Sequence, residues 1–342
     1  MQYRNLGKTG LKISSLSLGS YLTFGHHVDN TIAQELLHIA YCNGVNFFDT
    51  AEVYAQGEAE RIIGECLANL QWTRDTYIIG SKVFWGGEHS TQNGLNRKHI
   101  RDACDASLKR LRLEYLDFFL CHRPDTTTSI EETVWGMNQL IQQGKVLYWG
   151  TSEWSAQQIM EAYAVARQCH LIPPSLEQFQ YNMFERVKAE KEFTRLFTEI
   201  GIGATITMPL SCGLLTGKYN NHHSLPSDSR FQRIKSPYLR NLLSSEAGQE
   251  RLKKINELQT IANELQITMA QMAICWCLKN PHIHSVILGA SSKEQLQENL
   301  LTMDKVDKLE EKVMLQIEEI LGNKPIVEDF SNLNYQEVLT YS

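Results

Sequence analysis

Four residues whose side chains can hold or transfer a proton lie at the ends of three successive apolar segments of this 342-residue chain. Asp49 ends the first segment and Tyr54 follows it, Lys82 ends the second segment, and His122 ends the third. A carboxylate, a phenol, an ammonium and an imidazole are groups that general acid–base catalysis uses. Each alone is weak evidence, since a lysine at the end of a strand can simply pair with an aspartate for structure. Their coincidence is much more specific and predicts a catalytic site.

The three segments belong to a regular alternation of short apolar runs with longer amphipathic stretches. Such runs predict β-strands, and apolar residues at helical spacing predict α-helices. The predicted strands are Leu16–Gly19, Asn46–Thr50, Tyr77–Lys82, Leu116–His122, Lys145–Ser152, Ser175–Gln178, Gly203–Pro209 and Ser285–Leu288. The predicted helices are Asn30–Asn43, Glu58–Leu70, Arg97–Leu111, Ile130–Gln143, Ser155–His170 and Glu185–Ile200, with one inside Met269–Asn280 and a final one inside Ser292–Leu300.

Eight such repeats predict a closed (β/α)8 barrel, a TIM barrel, because strands joined through helices pair in parallel with right-handed crossovers. An open, doubly wound sheet is the competing fold. Barrel enzymes carry their reactive groups at the carboxyl ends of the strands, where the four residues fall.

Three further features accompany the predicted barrel. Tyr3–Leu6 and Leu11–Ser14 predict a short leading β-hairpin. Leu210–Glu250 is too long for an ordinary connection, which indicates a functional loop that covers a ligand. No linker-like change of composition divides the chain, so we expect residues 1–342 to form one domain, with a polar tail after Leu321.

The composition narrows the class of protein. Lys and Arg number 33 against 39 Asp and Glu, a formal net charge of −6, which disfavours nucleic-acid binding. No apolar run reaches the roughly 18 residues of a membrane-spanning helix, and the amino terminus has no apolar signal segment. Eight scattered cysteines without C-x-x-C spacing are typical of a reduced, cytoplasmic protein. The pairs His26-His27 and His222-His223 lack carboxylate partners at strand ends, so we expect no metal site.

The sequence resembles the aldo-keto reductase superfamily over nearly its whole length, from residues 3–7 to residues 322–325. Residues 48–54 and 148–152 are characteristic segments. Among the subfamilies, the chain is most similar to the β-subunits of voltage-gated potassium channels. The segments that carry this similarity are residues 82–87, 94–100, 161–163 and 171–174.

The resemblance implies NADPH-dependent reduction of an aldehyde or ketone by a tetrad of Asp49, Tyr54, Lys82 and His122. Carbonyl reduction needs a hydride at carbon and a proton at the developing alkoxide, and we expect Tyr54 to supply the proton. An unperturbed phenol has a pKa of about 10. We expect the Lys82 cation to lower this pKa, while Asp49 keeps the ammonium charged and His122 hydrogen-bonds the substrate carbonyl.

The turn from the last predicted strand into its helix offers an anion site. Ser291, Ser292 and Lys293 stand at a helix start, where free backbone amides favour negative charge. Simple helix capping by Ser291 or Ser292 is the alternative. By the resemblance, this turn binds the 2′-phosphate of NADPH through Gly289, Ser291, Gln295, Glu298 and Asn299. The resemblance implies further cofactor contacts by Ser20, Tyr21, Asp49, Ser152, Gln178, Pro209, Leu210, Cys212, Lys218 and Arg230.

Three functions stay open. The leading one is an NADPH-dependent carbonyl reductase acting on a small-molecule carbonyl substrate. The second, implied by the resemblance, is a regulatory subunit that reports the redox state of bound NADPH to a partner such as a channel; the same resemblance implies a homo-tetramer. The third is a barrel aldolase or isomerase with Lys82 as a Schiff-base amine, which needs Lys82 unpaired. Channel β-subunits carry an asparagine in place of His122, so this imidazole favours an enzyme.

Overall fold

A closed barrel of parallel strands forms the centre of the protein. The computed structural model describes residues 1–25, 28–220, 241 and 243–327. The strands are β1 Tyr3–Asn5, β2 Lys12–Ser14, β3 Leu16–Gly19, β4 Phe47–Asp49, β5 Ile78–Val83, β6 Leu116–Cys121, β7 Val146–Ser152, β8 Leu176–Gln180, β9 Gly203–Thr207 and β10 Ser285–Leu288. Strands β3 to β10 are parallel and pair in chain order, and β10 closes the barrel by pairing with both β9 and β3. The predicted (β/α)8 barrel is confirmed.

Helices follow the barrel strands and cover the outer face. They are α1 Asn30–Cys42, α2 Glu58–Leu70, α3 Arg97–Leu111, α4 Ile130–Gln142, α5 Ala156–Gln168, α6 Glu246–Glu264, α7 Met269–Lys279, α8 Lys293–Leu300 and α9 Glu311–Leu321. Short polar side chains accept hydrogen bonds from the first-turn amides of many of them, as Asn96 does for α3 and Ser129 for α4. A continuous apolar layer lies between these helices and the strands.

The predicted leading hairpin, formed by β1 and β2 in antiparallel pairing, closes the amino-terminal end of the barrel. Leu6 and Ile13 are fully buried and join the cluster inside the barrel that contains Phe118. Gly7 has a φ of +54°, and a Cβ there would lie 2.3 Å from the backbone oxygen of Gly201. Only glycine fits this close approach. The carboxyl-terminal end is therefore the end left for a ligand.

The segment Glu185–Ile200 is mostly helical, as predicted, but much of it has π-helical rather than α-helical geometry. The chain forms two π-helical turns, Lys188–Glu192 and Leu196–Ile200. Ala189, Phe193 and Phe197 are all buried and recur every four residues. This spacing places the three side chains on one helical face, turned towards the core.

The segment predicted as irregular, Leu210–Glu250, contains structure at both ends. A 3₁₀ segment spans Ser211–Thr216, and α6 begins at Glu246, where the Ser245 side chain accepts from the Gly248 amide. Helix α8 follows the last barrel strand, and α9 comes after it. Arg230 and both histidine pairs lie outside the described residues. In the described part of the chain, no helix is both long and apolar enough to span a membrane.

Candidate active site

Four predicted side chains meet at the carboxyl-terminal end of the barrel. Asp49 ends β4, Lys82 lies near the end of β5, His122 follows β6, and Tyr54 begins a short turn after β4. The Lys82 Nζ atom lies 2.6 Å from Asp49 Oδ2, 2.7 Å from the backbone oxygen of Thr50 and 3.3 Å from the Tyr54 hydroxyl. Barrel closure thus brings together residues that are up to 73 positions apart in sequence.

Lys82 and Asp49 form a fully buried ion pair. Lys82 is 0% exposed and Asp49 is 3% exposed. Burial lowers the pKa of Lys82, while the charge and the hydrogen bond of Asp49 oppose this effect. The second carboxylate oxygen of Asp49 accepts from Gln178 Nε2 at 3.0 Å. Both oxygens are therefore engaged, which fixes the ammonium in place beneath the Tyr54 oxygen.

The phenol of Tyr54 is held in its neutral form. Burial raises the pKa of Tyr54 well above 10, Asp49 and Tyr21 raise it further, and Arg123 opposes them. The expectation of a lowered pKa for Tyr54 is therefore wrong in its net direction, although the Lys82 ammonium beside the oxygen still favours the phenolate. Asp49, at 2.6 Å, balances the charge of Lys82, so burial decides the direction. A phenol that keeps its proton at neutral pH is suited to donate it.

The imidazole of His122 is also neutral. His122 is 6% exposed, and its Nδ1 atom is buried without a hydrogen-bond partner in the described residues. Burial lowers the pKa of His122 well below 6.5, and the charges of Lys82 and Arg123 lower it further. The ring lies 5.7 Å from that of Tyr54 and 5.2 Å from that of Trp85. A neutral imidazole next to the phenol carries one N–H donor, which is suited to hydrogen-bond a ligand.

A left-handed turn positions Tyr54. Ala55, Gln56 and Gly57 follow it with φ values of +49°, +56° and +86°. This left-handed conformation is strained for Ala55 and Gln56, and such strain is often found at functional sites. Gly25 packs closely against this turn, since a Cβ on Gly25 would lie 2.8 Å from the Ala55 Cβ atom.

A buried salt bridge supports the same turn from below, and sequence reasoning missed it. Glu60 is 0% exposed and accepts from Arg110 Nε and from Ser81 Oγ, both at 2.6 Å. The Arg110 side chain lies against Gly57, where a Cβ would be 2.9 Å from its Cδ atom. Glu60 shares the buried face of α2 with Ile63. A charged residue in this apolar pattern was the signal available in the sequence.

Several residues predicted to bind the cofactor lie on the same rim. Ser152 is the last residue of β7, Gln178 lies near the end of β8, and both are buried. Ser20 donates to the backbone oxygen of Asp49 and to the Thr50 hydroxyl. Tyr21 lies with its ring 5.0 Å from that of Tyr54.

The segment after β9 has an unusual backbone. Met208, Ser211 and Cys212 have φ values of +54°, +47° and +58°. Among the residues predicted to contact a pyrophosphate there, Pro209 and Cys212 are buried, Leu210 is half-buried, and Lys218 is exposed. Backbone that turns repeatedly into the left-handed region can form a concave set of amides for an anion.

The turn between β10 and α8 contains the helix cap expected from the sequence. The Ser292 hydroxyl caps α8 by accepting from the Gln295 amide, and Ser291 donates to Gln295 Oε1 at 3.1 Å. Gly289 and Glu298 are exposed and Asn299 is buried. Capping by Ser292 is thus confirmed, while the anion site stays a prediction.

Comparison with known proteins places this geometry in context. A family model described as "Aldo/keto reductase family" matches residues 15–322. The chain is also 48% identical over 325 residues to "Probable voltage-gated potassium channel subunit beta" of Arabidopsis thaliana, an alignment that covers 95% of this chain and 98% of that relative. Both similarities expected from the residues are confirmed.

Proposed function

The chain belongs to the aldo/keto reductase family, and we propose that it reduces an aldehyde or ketone to an alcohol with NADPH, Tyr54 being the proton donor. The family supports oxidoreductase chemistry on small carbonyl compounds with a nicotinamide cofactor. The observation that carries the proposal for this chain is the position of Lys82 Nζ, which contacts both Asp49 and the Tyr54 oxygen.

The direction of these hydrogen bonds explains how Tyr54 acts. Lys82 donates to the Tyr54 oxygen, so the phenolic hydrogen is left to donate to a substrate oxygen. As the proton departs, the phenolate forms 3.3 Å from an ammonium and is stabilised by it. Burial raises the pKa of Tyr54 and so keeps the phenol protonated before the reaction. The proton is therefore delivered as negative charge develops on the substrate.

His122 orients the substrate. A neutral imidazole carries one N–H donor and can give it to a carbonyl oxygen that also faces Tyr54. Two donors aimed at one oxygen polarise the carbonyl and stabilise the charge that develops on it. The edge-on contact of the two rings, with centroids 5.7 Å apart, fits such a shared oxygen.

The residues on the rest of the rim fit a nicotinamide dinucleotide. When bound, NADPH supplies the hydride. Gln178 uses its amide nitrogen on Asp49, which leaves its carbonyl oxygen, beside the hydroxyl of Ser152, for a carboxamide. The left-handed backbone at Ser211 and Cys212 fits a pyrophosphate, and the start of α8 fits the 2′-phosphate that distinguishes NADPH.

A redox-sensing regulatory subunit is the second candidate. The observation that favours it is the 48% identity to a relative named as a potassium channel subunit beta. The Schiff-base alternative for Lys82 is disfavoured, because this amine is paired with Asp49 at 2.6 Å.

Steady-state turnover separates the two candidates. Purified protein is mixed with excess NADPH and a panel of aldehydes, and the NADPH oxidised per subunit is counted against a sample without aldehyde. Many equivalents per subunit support the reductase. Tight NADPH binding with at most one equivalent oxidised supports the sensor and contradicts the reductase.

A further inference from the structure

Arg123 brings a positive charge to the exposed edge of the site. It follows His122 directly, is half-buried, and donates from Nη1 to the His122 backbone oxygen. Its guanidinium carbon lies 5.6 Å from the centroid of the Trp85 ring. Trp85 is 40% exposed and lies 5.2 Å from the His122 imidazole. The cation therefore lies where the catalytic imidazole meets the solvent-facing wall of the site.

Three acidic side chains near the site, Asp49, Glu52 and Asp125, are engaged by groups other than Arg123. Asp49 pairs with Lys82, and Glu52 accepts from the Phe84 amide. Asp125 accepts hydrogen bonds from the amides and hydroxyls of its own and a neighbouring loop. Across residues 1–25, 28–220, 241 and 243–327, no carboxylate forms an ion pair with Arg123. A half-buried guanidinium without a counter-charge is suited to bind an anion.

The charge of Arg123 reaches the reacting groups. It contributes to the shifts in the pKa of Tyr54, Lys82 and His122. An anion bound to Arg123 therefore lies close to a carbonyl held between Tyr54 and His122, within the span of one small molecule.

The barrel separates Arg123 from the proposed phosphate site of the cofactor. Arg123 follows β6, whereas the anion site at α8 follows β10. In the closed barrel these two strands are four positions apart in either direction, which places them on opposite sides. An anion at Arg123 therefore belongs to the substrate rather than to the cofactor's 2′-phosphate.

We propose that Arg123 determines substrate specificity by binding a carboxylate, so that the enzyme prefers small aldehydes and ketones that carry a second, anionic group. This inference rests on the proposed reductase function. The guanidinium fork binds a carboxylate through two parallel hydrogen bonds, and the aromatic rings of Trp85 and Tyr21 form walls around the carbon skeleton between the two groups.

The test compares the three carboxybenzaldehyde isomers with their methyl esters, which keep an electron-withdrawing group but lack the charge. The wild type, Arg123→Lys and Arg123→Met are measured with NADPH. We expect kcat/KM of the wild type to favour the best acid over its ester by about tenfold or more. We expect Arg123→Met to abolish this preference through a higher KM for the acid, with the ester changed less than about threefold. Arg123→Lys keeps part of the preference.

Binding provides a readout that does not depend on turnover. Calorimetry measures acid and ester binding to protein saturated with NADP⁺, together with the Kd for NADPH of each variant. Tighter binding of the acid by the wild type alone, with an unchanged NADPH Kd, supports the role of Arg123 even if no aldehyde is turned over, which would contradict only the proposed reductase. Equal binding of acid and ester by the wild type overturns the proposed role of Arg123. Equal losses for both compounds, or weaker NADPH binding in Arg123→Met, also overturn it.

Discussion

Two groups of the site are held uncharged by burial beside an ion pair. Lys82 and Asp49 form one neutral pair, while Tyr54 and His122 are each held uncharged, the pKa of the phenol being raised and that of the imidazole lowered. The site therefore offers two neutral donors above a buried ion pair. This arrangement suits a reaction in which negative charge appears on a substrate oxygen and is removed by a proton.

Replacing Tyr54 by Phe removes the proposed proton while keeping the ring. We expect kcat for aldehyde reduction to fall by at least about a hundredfold, while the Kd for NADPH stays within a few-fold. Steady-state kinetics and fluorescence titration measure the two effects. Tyr163→Phe on α5, a half-buried tyrosine outside the site, is the matched control and keeps full activity. A Tyr54→Phe variant that retained most of its kcat would show that Tyr54 is not the acid.

The sequence was sufficient to identify the four residues but not their electrostatics. Asp49, Lys82 and His122 could be found because each ends an apolar run, and strand ends converge in a barrel. The shift in the pKa of Tyr54 could not, because it depends on how completely the fold buries the phenol. The bond between Glu60 and Arg110 likewise depends on the packing of α2 against α3, which no local pattern specifies.

At the scale of elements, Glu177 on β8 holds the end of β7 and the following loop through two hydrogen bonds. It is 0% exposed, accepts from the Thr151 hydroxyl and accepts from the Trp154 amide at 3.1 Å. The loop between these partners carries Ser152 and a left-handed Glu153 with a φ of +60°. Burial raises the pKa of Glu177 to about 8, against partial opposition from its hydrogen bonds and from Lys188.

This pKa predicts how Glu177→Gln changes stability with pH. Between 4.5 and about 8 the folded protein keeps a proton that the unfolded chain has released, so raising the pH through this window favours unfolding. Glutamine cannot ionise and can keep both contacts. We therefore expect its melting temperature to exceed that of the wild type by about 3 °C or more near pH 8, with a smaller gain at pH 5.

Thermal unfolding from pH 5 to pH 9 measures this difference. Glu65→Gln removes a carboxylate of an exposed pair with Arg112 and is the control without a pH-dependent gain. A gain for Glu177→Gln that did not change with pH would mean that the carboxyl is ionised throughout.

We propose that the start of α8 determines the choice between NADPH and NADH. Two charge-assisted hydrogen bonds of roughly 1.5 kcal/mol each would give about a hundredfold preference for NADPH over NADH. We expect Ser291→Ala with Lys293→Ala to erode NADPH affinity and to leave NADH nearly unchanged, as fluorescence titration would measure. Ser292→Ala removes only the helix cap and is the control that does not change the ratio. Equal losses of affinity for NADPH and NADH would show that this turn only caps the helix.

The elements themselves were predicted where their pattern is local. Strands β3 to β10 were found from apolar runs, because a parallel strand that is buried on both faces has a nearly continuous hydrophobic sequence. Helix α6 was missed because it follows a long polar segment. The helical character of Glu185–Ile200 was predicted, but the pattern of apolar residues does not distinguish its π turns from α-helical ones.

At the scale of the whole molecule, closure of the barrel assembles the site, and the outer surface is left for partners. Leu147, Met160 and Ile172 are exposed on β7, on α5 and on the connection to β8. We expect a homo-tetramer, in which contacts between chains would remove such exposed apolar side chains from water. Light scattering at micromolar concentration would give four times the mass of one chain. A mass of one chain would refute the tetramer.

The most direct test of carbonyl reduction follows the transferred hydrogen. The protein is incubated with an excess of NADPH carrying deuterium at the reactive C4 position and with the best aldehyde of the panel, and the products are analysed by mass spectrometry. The proposed function predicts many equivalents of alcohol per subunit, with deuterium on the former carbonyl carbon, in amounts equal to the NADP⁺ formed. Alcohol without deuterium, or NADPH oxidised without any alcohol, would contradict it.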